Sequence, residues 1–122
     1  MADHNDRGHE AEELAAEYLI SKAYAIKHRN WRYFQKEIDI VAEIGKTLVI
    51  VEVKSRSNQD RVTADELISR RKQRYIVDAA EAYLNRYNLE SETRFDVVII
   101  SFSGEGVDVE HIEGAFIPGV NW

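Results

Sequence analysis

The spacing of apolar residues predicts an α/β fold in which helices flank a mixed sheet. Three observations carry that expectation. Two stretches repeat apolar residues at helical spacing. Several others alternate, or run nearly unbroken, in Val, Ile and Phe as strands do. Their order along the chain is helix, three strands, helix, two strands. At 122 residues the chain suits a single domain, 1–122, with one core.

The first helix is expected over about Asp6 to Ala23, where Ala11, Leu14, Ala15, Tyr18 and Leu19 form one apolar stripe. Asp3, Asn5 or Asp6 would cap it, and its early acids suit the positive end of the helix dipole. Tyr24 to Trp31 reads as a short strand or extended entry, and Tyr33 to Ile44 as the next strand, with Ile38, Ile40 and Ala42 on one face. Gly45 makes a short connection to a strand over Leu48 to Lys54, so the two form an antiparallel hairpin. Ser55 to Thr63 is polar and reads as a loop. A long helix follows, roughly Ala64 to Tyr87, with Leu67, Ile68, Ile76, Ala79, Ala80, Tyr83 and Leu84 on its apolar face. Arg94 to Phe102 holds the run Val97-Val98-Ile99-Ile100 and should be covered on both faces. A turn at Ser103 to Gly106 leads to a last strand, Val107 to Ile112, and a tail from Gly114 to Trp122 that docks on the body or on a partner.

Composition narrows the function. No apolar run approaches the ~18 residues needed to cross a bilayer. The polar, acidic start resembles neither a signal peptide nor a transit peptide, so a cytoplasmic protein with no membrane partner is expected. The absence of cysteine excludes disulfides, thiol catalysis and the usual structural zinc sites. The net charge of −6 opposes a nucleic-acid partner, but its distribution is uneven. Residues 22–36 carry +5 and residues 54–74 carry +4, while both ends are acidic. A phosphate backbone could dock on that basic middle, which is also what ordinary solvated charge looks like.

The chemistry concentrates in Glu37-Ile38-Asp39 and Val51-Glu52-Val53-Lys54. On a strand Glu52 and Lys54 share a face, and Val51 and Val53 take the other. In a hairpin turning near Gly45, Asp39 lies as far before the turn as Glu52 lies after it, so the two carboxylates become cross-strand neighbours. In an apolar setting they repel each other and lose water, and a cation relieves both. A hard ion, Mg²⁺ or Mn²⁺, held by Asp39, Glu52 and the backbone carbonyl of Val53 would fit oxygen donors and leave room for water and a phosphate oxygen. Lys54 would then support the charge building on the phosphate. The same residues also suit a structural ion pair on a sheet surface.

Lys36-Glu37-Ile38-Asp39-Ile40, Val49-Ile50-Val51-Glu52-Val53-Lys54-Ser55-Arg56 and Arg94-Phe95-Asp96-Val97-Val98 resemble the bacterial YraN family of nuclease-like proteins. Glu12, Ala15, Tyr18 and Leu19 on the first helix fit as well, as do Asn30-Trp31-Arg32 and Ala115-Phe116. Lys36 stands where that family usually has Gly, and Ser57 to Val62 lacks its Phe-Gly. The family is similar in turn to the PD-(D/E)xK nuclease superfamily, and especially to archaeal Holliday-junction resolvases. The resemblance implies a three-layer α/β/α restriction-endonuclease-like core. It also implies Asp39 and Glu52 as metal ligands, Lys54 as the catalytic lysine and Glu12 as a helix-borne acid facing the site. The expected activity is hydrolysis of DNA phosphodiester bonds at branched or repair intermediates; a module that binds nucleic acid without cutting it, or an adaptor, is the alternative.

Other residues carry weaker signals. Arg56, on the same strand face as Lys54, and Arg71 and Lys72 on the long helix are phosphate-binding candidates as well as ordinary surface cations. Trp31, Tyr33 and Phe34 lie among basic residues, where they could stack on bases or pack in the core. Asp96 is expected to be structural. His4, His9, His28 and His111 have no paired spacing and are expected at the surface. Branched DNA is nearly two-fold symmetric, which favours a homodimer.

Overall fold

The computed structural model describes residues 4–57 and 68–119. Helix α1 spans His4–Ser21, followed by strands β1 (Ala25–Tyr33), β2 (Lys36–Ile44) and β3 (Thr47–Ser57). Helix α2 (Arg70–Arg86) leads to β4 (Glu92–Ser103) and β5 (Gly106–Ile112). The five strands lie side by side in chain order, β1-β2-β3-β4-β5. Every neighbouring pair is antiparallel except β3 and β4, which run parallel. The sheet is therefore mixed, as its sequence pattern predicts.

One helix covers each face. Ala11, Ala15 and Leu19 recur four residues apart on α1 and are buried, so small side chains bring the helix close to Ile40, Ala42, Val49, Val51, Val98 and Ile100. On the other face Ile76, Ala79, Ala80 and Tyr83 of α2 pack on Ile38, Val41, Leu48, Ile50, Val97 and Ile99. Burying an Ile or Val side chain contributes about 1.5–3 kcal/mol, so β3 and β4, which feed both layers, are the stabilising centre. This is the three-layer α/β/α arrangement of a restriction-endonuclease-like core.

Both helices end alike. Tyr24 donates its N–H to the Leu19 carbonyl across Ala23 at φ 73°, and Leu89 donates to Leu84 across Asn88 at φ 56°. The start of α2 is capped by Ser69, whose hydroxyl accepts from the Lys72 N–H at 3.1 Å.

Several boundaries differ from the sequence reading. Helix α2 begins at Arg70 rather than near Ala64; residues 64–67 lie outside the described residues, as do Asp3 of the proposed first cap and Trp122 of the tail. The polar stretch that begins at Ser55 reads as a loop, yet Ser55, Arg56 and Ser57 extend β3, because they pair with Ile100, Ser101 and Phe102 of β4. The rest of that expected loop, residues 58–63, lies outside the described residues. Tyr33 ends β1 instead of starting β2: Tyr33 pairs with Lys36, and Phe34-Gln35 forms a two-residue turn. No Gly or Asn marks that turn, so the sequence hides it. Part of the tail docks on the body: Ala115 donates to the Phe95 carbonyl at 2.7 Å and Phe116 stacks on the Phe95 ring.

Candidate functional site

The expected alternation of β2 holds except at one point. Ile40 packs under α1 and Ile38 under α2, although they are two residues apart. An unbroken strand would put them on one face, so the alternation slips once, at Asp39. There the pairing of β2 with β3 also stops, at Ile40 opposite Val51. The slip releases the Val53 N–H from the ladder, and Asp39 Oδ2 accepts it at 2.8 Å. Asp39 is thus fixed in the opening between the two strands.

Three acids converge on that opening. Carboxylate oxygens of Glu12 from α1 and of Glu37 and Asp39 from β2 all lie within 4.8 Å of one another. From the other side comes Glu52, whose side chain is only 7% exposed. Its Oε2 lies 3.5 Å from Lys54 Nζ and 3.8 Å from Lys72 Nζ. Those distances are electrostatic contacts rather than tight hydrogen bonds. Burial and then the Glu52 carboxylate beside it push the Asp39 carboxyl up to about 8, against the lowering effect of the Val53 N–H; Glu12 adds to the rise. Near neutral pH the Asp39–Glu52 pair therefore holds a proton that a cation would displace.

Of the residues singled out from sequence, Glu12, Asp39, Glu52, Val53, Lys54 and Lys72 come together. Glu37 joins them, as its shared face with Asp39 suggests. Arg56 and Arg71 do not. Arg56 lies on the Glu52 face but donates to the Ser101 hydroxyl at 3.1 Å and faces Glu110. Arg71 binds the Tyr75 hydroxyl at 3.0 Å on the exposed side of α2.

Two of the histidines correct the sequence reading, while His9 is exposed as expected. His111 is not a surface residue: its side chain is 6% exposed and its Nε2 lies 2.7 Å from Asp96 Oδ2. Arg94 grips the same carboxylate with two bonds, of 2.7 and 2.8 Å, and donates to the Tyr24 hydroxyl. Gly114 N–H completes the set at 3.0 Å, so Asp96 ties β4 to β5, the tail and the end of α1. Asp96 is structural, as expected. His28 likewise sits against the Tyr83 and Tyr87 rings and bonds the Tyr83 hydroxyl at 2.7 Å. Sequence spacing could not find these pairs, because their partners are 15 and 55 residues away.

Residues 11–100 match the profile of a family described as "Uncharacterised protein family UPF0102". A UPF0102 protein of Phocaeicola vulgatus is 41% identical over 98% of this chain and 99% of its own length. The chain belongs to this family. Further UPF0102 relatives include one from Porphyromonas gingivalis, 40% identical over 95% of this chain and 87% of its own length. Another, from Christiangramia forsetii, is 39% identical over 95% of this chain and 98% of its own length. The UPF0102 family is the YraN-like, nuclease-like group that the strand motifs resemble, and the matched span takes in every acid and lysine of the site. Among the described residues no helix is long and apolar enough to cross a membrane.

Proposed function

We propose that this protein is a Mg²⁺- or Mn²⁺-dependent endonuclease that hydrolyses DNA phosphodiester bonds, at branched or repair intermediates. The observation that carries the reading is Asp39, a half-buried carboxyl set against Glu52 and within reach of Glu12 and Glu37. Such a group is stable only when protonated or when paired with a cation. The donors are all hard oxygens, which fits Mg²⁺ or Mn²⁺ and argues against softer metals.

Asp39 and Glu52 would hold the ion, with the Val53 carbonyl as third donor. In a strand the N–H and C=O of one residue point to the same neighbour, and the Val53 N–H points at Asp39. A bound divalent ion supplies positive charge for the scissile phosphate and acidifies water. Lys54 lies beside Glu52, placed to support the negative charge that grows on the phosphate oxygens. Glu12 sits close to Asp39, where it can orient a water or accept its proton, and Glu37 beside it is held by Arg32 at 2.9 Å. Lys72 brings a second cation from α2, suited to the next phosphate along the strand. A single such site nicks one strand, so a two-fold branched substrate calls for a homodimer.

One observation favours a non-cleaving binding module: Lys54 and Lys72 both approach Glu52 and already offset its charge. Cleavage of a labelled four-way junction with Mn²⁺ decides between the two. The expected result is cutting by the wild type and none by folded Asp39→Ala or Glu52→Ala. Junction binding without cutting at any Mn²⁺ concentration would replace the enzyme by the binding module.

A further inference from the structure

The turn between β1 and β2 carries two aromatic side chains into solvent. Phe34 is 83% exposed and Tyr33 37% exposed, and their rings meet edge to face at 4.7 Å. An apolar ring so exposed forgoes about 1.5–3 kcal/mol of burial. The backbone adds a second cost. Phe34 takes φ 56° at the first central position of a two-residue turn, where glycine is the usual residue. A phenylalanine there is strained by about 1–2 kcal/mol, and neither packing nor turn geometry explains it.

The surroundings are suited to a nucleotide. Behind Tyr33 lies a cavity of about 380 Å³ lined by Trp31, Arg32, Tyr33, Ala82, Asn85 and Arg86. Its volume falls within the ~300–1,000 Å³ of small-molecule sites. Arg32 is largely exposed at the mouth, Asn85 offers both a donor and an acceptor, and Lys36 lies over the Tyr33 ring. Aromatic faces flanked by arginine and lysine bind bases by stacking and phosphates by charge. Two nearby acids are themselves paired, Glu37 with Arg32 and Asp78 with Lys36, while Glu81 lines the adjoining groove with Tyr33 and Asn85.

We infer that Tyr33 and Phe34 form a stacking shelf for an unpaired base of the nucleic acid, with Arg32 and Arg86 holding its phosphates. The inference rests on the nucleic-acid reading above and adds a substrate class to it: duplex interrupted by single strand rather than continuous duplex. The shelf and the acid cluster are joined by β2. The strand from Lys36 to Asp39 rises ~10 Å, and the Phe34-Gln35 turn lies just beyond its start. At ~3.4 Å per base step that length spans about three nucleotides between the shelf and the bond at the acid cluster.

The test is fluorescence anisotropy, without divalent ions, of a blunt duplex and of the same duplex carrying a single-stranded arm. The wild type should bind the armed DNA more tightly. Phe34→Ala should lose about 10-fold on the armed DNA, the worth of one base stack, and nothing on the blunt duplex. Phe34→Gly relieves the positive φ, so it should unfold at equal or higher urea yet lose the same affinity. Retention of full armed-DNA affinity by both variants, or equal wild-type affinity for the two DNAs, overturns the shelf and leaves the nucleic-acid reading standing. Failure of the wild type to bind either DNA overturns that reading and the shelf with it.

Discussion

Asp39 and Asp96 are the same side chain on different strands of one sheet, and they are treated in opposite ways. Asp96 is buried, which alone would raise its carboxyl, but His111, Arg94 and the Gly114 N–H bond it so fully that it lies below the usual aspartate range. Asp39 has one N–H from Val53 and faces a second carboxylate, so it rises to about 8. Both carboxyls lose water on folding, and what differs is whether the fold supplies a counter-charge to the group itself. At Asp96 the protein is complete in itself. Around Asp39 the neighbouring acids have cations, Glu52 from Lys54 and Lys72 and Glu37 from Arg32, but among the described residues none pairs with Asp39 itself, the arrangement expected where a ligand makes up the difference.

Asp96→Ala should give the largest effect. It strands Arg94 and a buried His111, and we expect a loss of about 3 kcal/mol or more in urea unfolding. Asp39→Asn should cost little stability, because the amide oxygen can still accept from Val53, but it should weaken Mn²⁺ binding by ~10-fold or more in calorimetry. An Asp39→Asn protein that unfolds as readily as Asp96→Ala would erase the contrast.

Acid and base separate the two groups further. Because Asp39 is raised from 3.8 to about 8 in the folded state, its contribution to stability is full below pH 3.8 and is lost as pH rises through 8. Asp96, being lowered, contributes above its ordinary value of 3.8, and that contribution is lost as pH falls through its folded value. Mn²⁺ must displace the Asp39 proton, so affinity should rise with pH up to about 8 and then level. Calorimetry in two buffers of different ionisation heat should register the released proton; its absence at pH 7 would remove Asp39 from the ligand set. The smallest effect belongs to Tyr24→Phe, which removes one hydroxyl from Arg94 and should cost about 1 kcal/mol in the same urea assay.

Much of this contrast is legible in the chain. The hairpin about Gly45 places Asp39 near Glu52 by counting residues, and strand alternation puts Glu52 with Lys54. The buried run Val97 to Ile100 marks β4 by composition alone. What stays hidden depends on local slips and on distant partners. Alternation predicts Ile38 and Ile40 on one face, and only the slip at Asp39 separates them. The turn at Phe34 lacks a turn residue, so the sequence pattern makes β1 too short and β2 too long. His111 has no partner nearby in sequence, so its pairing with Asp96 emerges only when β4 and β5 are side by side.

The strand order repeats the chain order, and this has a kinetic consequence. Strands β1, β2 and β3 are joined by two-residue turns and can zip together as a local meander, which brings Asp39 and Glu52 together without any distant pairing. The parallel pairing of β3 with β4 must instead close the long connection from Ser57 to Glu92, and the bond from Arg94 to the Tyr24 hydroxyl cannot form until it does. Core substitutions in the meander should therefore slow folding, whereas Tyr24→Phe, which removes a tie across that connection, should mainly quicken unfolding. The two acids are brought together early on the way to the native state, and the bond from Arg94 to Tyr24 acts afterwards as the latch.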